Sequence, residues 1–246
     1  MSHFVVLVLV PGDTQKEDIP HAVVEVLEPY DECLKVPQHE QECPCVGLAA
    51  QAEVDEQIRK DFNFEGMRKK FSSLAKRKQT HKEWDAMIAP MLEARKKLLE
   101  EHPMKNTPDS TCTCCSGTGK YLTEANPAGK WDWWVVGGRW DGWIFGPEKE
   151  KERQKLHESG SRTKSEEEEL NDLLESNVRP VREIDWSNDH YLPFAVVTQE
   201  GWVEVGKMMM FAIVDDEMPD KEWHAVVRNI MDRHMDCLAV AVDCHV

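Results

Sequence analysis

Two pairs of cysteines constrain this chain more than any other feature. Cys112-Thr-Cys114-Cys115-Ser-Gly117-Thr-Gly119 sets Cys112 and Cys115 three positions apart on a glycine-rich turn. That spacing lets two thiolates face one tetrahedral Zn²⁺. The glycines reach positive φ, so backbone amides can turn towards the sulfurs. One such knuckle supplies two ligands, and Cys43-Pro44-Cys45 is the best source of the other two. Cys114 is an alternative ligand, and Cys33, His39 and His102 are weaker ones. Four thiolates, from Cys43, Cys45, Cys112 and Cys115, leave no open position for water, so the Zn²⁺ expected here is structural and not catalytic. The plainer alternative is a set of reduced thiols without metal.

The Cys-x-x-Cys-x-Gly-x-Gly string resembles one repeat of the zinc-binding region of the DnaJ chaperones. Those proteins carry four such repeats and a J domain with His-Pro-Asp. This chain has one repeat and no His-Pro-Asp. The resemblance therefore implies a metal knuckle and not chaperone activity.

Composition narrows the class. The chain has 246 residues, 41% hydrophobic and 31% charged, which suits a globular protein able to bury a core. No apolar run approaches the ~20 residues that span a bilayer. Phe4 to Val10 lacks a basic flank and a small-residue cleavage site, so it reads as a strand and not a signal peptide. The expectation is a cytoplasmic protein without a membrane partner. A net charge of −16 argues against broad binding to nucleic acid, which rests on neutralising phosphates.

Phe4 to Val10 is apolar throughout, as a buried strand is, and Ile19, Val23 and Val26 recur at helical spacing over residues 16–28. Towards the other end, Phe194–Thr198 and Trp202–Val205 read as a hairpin and Met208–Val214 as a further strand. Asp220–His234 reads as an amphipathic helix and Leu238–His245 as a closing strand. This order predicts an α+β fold, a ferredoxin-like antiparallel sandwich formed by residues 1–36 and 180–246. A long, mostly helical zinc-binding insertion, residues 37–146, splits it. Val54, Ile58, Phe62, Met67, Phe71 and Leu74 predict helix over 50–77. Trp84, Ile88, Met91 and Leu99 predict a second helix to 101, bent at Pro90. Residues 147–179, with Glu166–Glu169, read as a charged helix or linker.

Five of the nine tryptophans fall in Lys130-Trp-Asp-Trp-Trp-Val-Val-Gly-Gly-Arg-Trp-Asp-Gly-Trp143. On a strand, Trp131 and Trp133 would share one face and Asp132 and Trp134 the other. Gly137-Gly138 turns the backbone and offers amides to an anion, with Arg139 beside them. Trp131, Trp133, Trp134, Gly137, Gly138, Arg139 and Trp140 thus form a candidate ligand cleft. The competing reading is core packing, with Arg139 paired to Asp132 or Asp141. At the strand ends, antiparallel pairing would bring His3 to His245 beside Asp243, as a second metal site or an acid–base pair, or merely as exposed chain-end residues.

Three segments together resemble an uncharacterised family of bacteriophages and some actinobacteria. They are Met1-Ser-His-Phe4 before the first strand, Lys130–Gly142, and Ala239-Val-Ala-Val-Asp-Cys-His245. The resemblance brings no known activity; it implies a phage accessory protein in the cytoplasm of a bacterial host. With no catalytic motif in sight, the expected function is a zinc-stabilised, non-enzymatic binding protein acting on a host protein or a small anionic ligand. The alternative is a metal-dependent phosphodiester or nucleotide hydrolase using His3, Asp243 and His245.

Overall fold

A computed structural model describes residues 3–63, 66, 69, 81–159, 166–209 and 213–246. They divide into two compact units, Met1–Val36 with Ala125–Val246, and Pro37–Glu124.

The first unit is a mixed α/β structure on a mixed sheet. β1 (His3–Val10) pairs antiparallel along its whole length with β10 (Leu238–His245), His3 opposite His245 and Val10 opposite Leu238. On the far side of β1 lies β6 (Ala195–Thr198), which pairs antiparallel with β7 (Gly201–Glu204). On the far side of β10 lie β4 (Trp133–Val136) and β5 (Val178–Pro180). The sheet differs from the expected antiparallel one at one pairing, because β6 runs parallel to β1. A connection that carries a helix can cross over the sheet and bring the next strand back in the same direction.

Both faces of the sheet are covered, which is why β1 is apolar at every position from Phe4 to Val10. α1 (Ile19–Leu27) buries Ile19, Val23, Val26 and Leu27 in one core with Phe4, Val6, Val8 and Val10. α6 (Asp220–Arg233) buries Trp223, Val227, Ile230 and Met231 in another with Val5, Leu7 and Leu9. Each such side chain stabilises the fold by about 1.5–3 kcal/mol before the entropy of ordering is counted. The Trp223 indole N–H donates to the Pro193 carbonyl at 2.8 Å, which lets its polar atom be buried.

The Trp-rich and charged segments belong to this sheet unit. The expected insertion ran on to residue 146, but the second unit ends at Glu124, and β4 pairs with β10. The charged stretch forms α4 (Pro147–Ser159) and α5 (Glu166–Asn177). These helices are anchored, since Arg153 and Leu174 are buried. In place of one strand over 208–214, β8 (Lys207–Met209) and β9 (Ile213–Asp215) pair antiparallel.

The second unit holds β2 (His39–Glu42) paired antiparallel with β3 (Lys120–Thr123), α2 (Leu48–Asp61) and α3 (His81–Glu101). α3 runs through Pro90, and Arg95 on it pairs with Asp55 of α2 at 2.6 Å. Met67, Phe71 and Leu74, expected to continue α2, lie outside the described residues. No helix among the described residues is long and apolar enough to cross a membrane.

Candidate metal centre

Cys43 and Cys45 lie on the turn between β2 and α2, and Cys112 and Cys115 on the turn before β3. The Cys43 amide donates to the Gly119 carbonyl at 2.8 Å, which ties one turn to the other. The sulfurs of all four lie within 4.8 Å of one another, with Cys43–Cys112 at 3.7 Å and Cys45–Cys115 at 3.5 Å. Cys43, Cys45 and Cys115 are buried and Cys112 is partly so. Four thiols this close could hold a metal ion, and among the described residues they are the only group of three or more such donors drawn together in this way.

The backbone supports the cluster as the glycine spacing anticipates. Ser116, Gly117 and Gly119 have φ of 51°, 79° and 79°, left-handed positions that turn the chain around the Cys115 sulfur. The Gly119 amide faces that sulfur at 3.4 Å. The amides of Cys45 and Asp109 act to lower the thiols of Cys43 and Cys45 in turn. Burial acts to raise the Cys115 thiol, but the Gly119 amide and the other three thiols outweigh it and bring it down to about 7. Burial, as the largest influence, pushes the Cys45 thiol up. One thiolate is thus favoured even among neutral neighbours, and a cation would draw out the rest. Cys114 and Cys33 are exposed and stand outside the quartet. His39 bonds the Pro37 carbonyl and His102 pairs with Glu53.

The Trp-rich segment splits between the two readings. Trp131 is buried, with its indole N–H on the Leu27 carbonyl at 3.2 Å, and Trp143 is buried on the α6 face. Trp134 packs half-buried against the α1 core and Trp140 against the other. Only Trp133 is well exposed, at 49%. The expected alternation fails because the chain bends at Asp132 before β4 begins, so Trp131 and Trp134 share the α1 core.

The Gly137-Gly138 turn does offer an amide to an anion, but the anion belongs to the protein. Asp243 is buried and accepts the Arg139 backbone N–H at 3.0 Å. Gly138 has φ 53°, and a Cβ there would lie 2.6 Å from the Asp243 carboxylate, so the turn can close on it only as glycine. The Arg139 side chain is exposed, and no ion pair among the described residues involves it. Asp132 and Asp141, its expected partners, are taken by His245 and Arg153.

Two features had no signal in the sequence. Asp141 is buried and gathers Arg153 at 2.8 Å, Ser176 at 3.0 Å and Asn177 at 2.7 Å; Arg153 also holds Asp172 at 2.7 Å. This network fastens α4 and α5 to the turn after β4. A cavity of about 460 Å³ opens at the C-terminal ends of the parallel strands β1 and β6, lined in part by Asp13, Thr198, His234 and Cys237. No Trp-rich residue lines it.

His3 and His245 do come together, at 5.0 Å between ring centroids. Asp243 is not an open third ligand, because both its oxygens are engaged, by His3 and by the Arg139 amide. Comparison with family models, with curated proteins and with solved structures gives no match for this chain.

Proposed function

We propose that the chain is a zinc-stabilised binding protein of the phage accessory type. Cys43, Cys45, Cys112 and Cys115 hold one structural Zn²⁺ in the Pro37–Glu124 unit, and the sheet unit offers Trp133 and Arg139 to a host protein or a small anionic ligand. The carrying observation is the sulfur geometry. A tetrahedral zinc with Zn–S of about 2.3 Å has sulfurs about 3.8 Å apart, and the two closest pairs stand at 3.5 and 3.7 Å. The Gly119 amide on the Cys115 sulfur is an outer-shell bond of the kind thiolate sites need. A site closed by four thiolates serves the fold and not turnover.

Trp133 and Arg139 support the second half of the reading, because one exposed indole and one exposed guanidinium are the residue types that dominate binding hot spots. Trp133→Ala should weaken capture of the bacterial partner by about 30-fold, the equivalent of ~2 kcal/mol, without altering the metal held by the thiolates. Quantitative pull-down from host lysate, followed by titration of the captured protein, measures it. Turnover of nucleotides or phosphodiesters by the zinc-loaded protein, lost in His3→Ala or His245→Ala, would overturn the non-enzymatic reading.

A further inference from the structure

One end of the sheet carries a cluster that the thiolate site does not explain. β1 begins, β10 ends and β4 begins there, and the register sets His3 opposite His245 and His245 opposite Trp133. Side chains two apart on a strand share a face, so both histidines stand on the face that carries Val5, Leu7, Ala239 and Ala241. They are not loose chain-end residues, since their side chains are only 16% and 12% exposed. Trp133 closes one side, its ring 6.0 Å from that of His3.

Each imidazole is held by its own carboxylate through Nδ1. His3 Nδ1 lies 3.0 Å from Asp243 and His245 Nδ1 lies 2.5 Å from Asp132. Asp243 is itself fixed by the Arg139 amide. A carboxylate on Nδ1 keeps the proton there and leaves Nε2 with a free lone pair, the outer-shell arrangement of metal-binding histidines. Nε2 of His245 is buried with no hydrogen-bond partner. A buried acceptor left unmatched costs desolvation free energy that nothing in the chain returns.

The ring spacing is compatible with one shared ion. Two imidazoles on one tetrahedral ion, with metal–nitrogen distances of about 2.1 Å, have ring centroids about 5 Å apart; this pair stands at 5.0 Å. We propose that His3 and His245 form a second metal site, which takes a divalent transition-metal cation of the zinc, cobalt or nickel class through its two Nε2 atoms. Asp243 and Asp132 act as positioning residues. Nitrogen donors disfavour Ca²⁺ and Mg²⁺, which seek oxygen. Two adjacent carboxylates repel an anionic occupant. Since only the cysteine quartet gathers three or more donors among the described residues, water or an exogenous ligand completes the coordination. The site stands whether or not the quartet holds zinc.

Cobalt titration of the full chain tests this. Cobalt on four thiolates gives an intense sulfur-to-metal charge-transfer band, whereas cobalt on imidazole and water gives only weak d–d bands. The expected result is two equivalents bound, the second without charge transfer. His3→Gln and His245→Gln each remove the second equivalent and leave the charge-transfer band intact. Should those variants misfold, Asp132→Asn decides, because its carboxylate is at the surface and it supplies no metal ligand. It should weaken the second site by about 10–100-fold and spare the first. A single equivalent that carries the charge-transfer band, a second equivalent that survives His245→Gln, or unchanged affinity in Asp132→Asn would overturn the proposal. Loss of the charge-transfer band with the second site retained would instead defeat the thiolate reading.

Discussion

Cys115→Ser should release the metal proposed for the quartet and remove the cooperative unfolding of the Pro37–Glu124 unit, while the sheet unit keeps its own transition. The expectation follows from where apolar burial lies. The sheet unit has two large cores, built from β1, β10, α1 and α6, and neither includes a quartet cysteine. Among the described residues of the second unit, the buried apolar side chains beyond Ala50, Val54 and Ile58 on α2 are the cysteines themselves, with Tyr121 against them. A metal clamp across the two cysteine turns staples them in the way small units use. Calorimetry of the wild type should show a chelator-sensitive transition that is missing in Cys115→Ser and present in Cys114→Ser, whose sulfur is outside the quartet. Because the ligands bind as thiolates, the same transition should fade as pH falls.

The second large effect falls on a residue far from any cysteine. Asp141→Ala should cost the sheet unit about 3–5 kcal/mol, the range for removing one partner of a buried ion pair. Asp141 is 1% exposed, and its loss takes from Arg153 its buried carboxylate, while Ser176 and Asn177 keep the backbone carbonyls of Asp172 and Leu173. Arg153 would retain only Asp172. Arg153→Met should cost less, because Asp141 keeps two donors and the methionine fills part of the volume. Chemical denaturation followed by tryptophan fluorescence separates the two. Equal losses in both variants would mean that packing and not the stranded charge sets the cost.

How much of this was legible in the sequence depended on how local the cause is. The knuckle could be read because its geometry lies within eight residues, and the glycines of positive φ are the ones the spacing requires. β1 and β10 could be read because burial on both faces leaves apolar runs, Phe4–Val10 and Leu238–Val242. The facing of Trp131 could not, because a bend at Asp132 shifts the alternation and nothing in the local pattern marks it. Asp141 was expected, at most, to pair with its neighbour Arg139; its partners sit 12 to 36 positions away on helices whose charge suggested solvent. The meeting of His3 and His245 follows from strand order alone. Asp132 as the holder of His245, 113 residues distant, follows only from β4 joining the sheet.

The central claim is that four thiolates close one zinc. X-ray absorption at the zinc edge, on full-length protein loaded with one equivalent of Zn²⁺, tests it most directly. The account predicts a shell of four sulfurs at about 2.3 Å, which Cys43→Ser, Cys45→Ser, Cys112→Ser and Cys115→Ser each disrupt. A first shell of nitrogen and oxygen, or zinc that stays bound to four sulfurs in any of those variants, would contradict it.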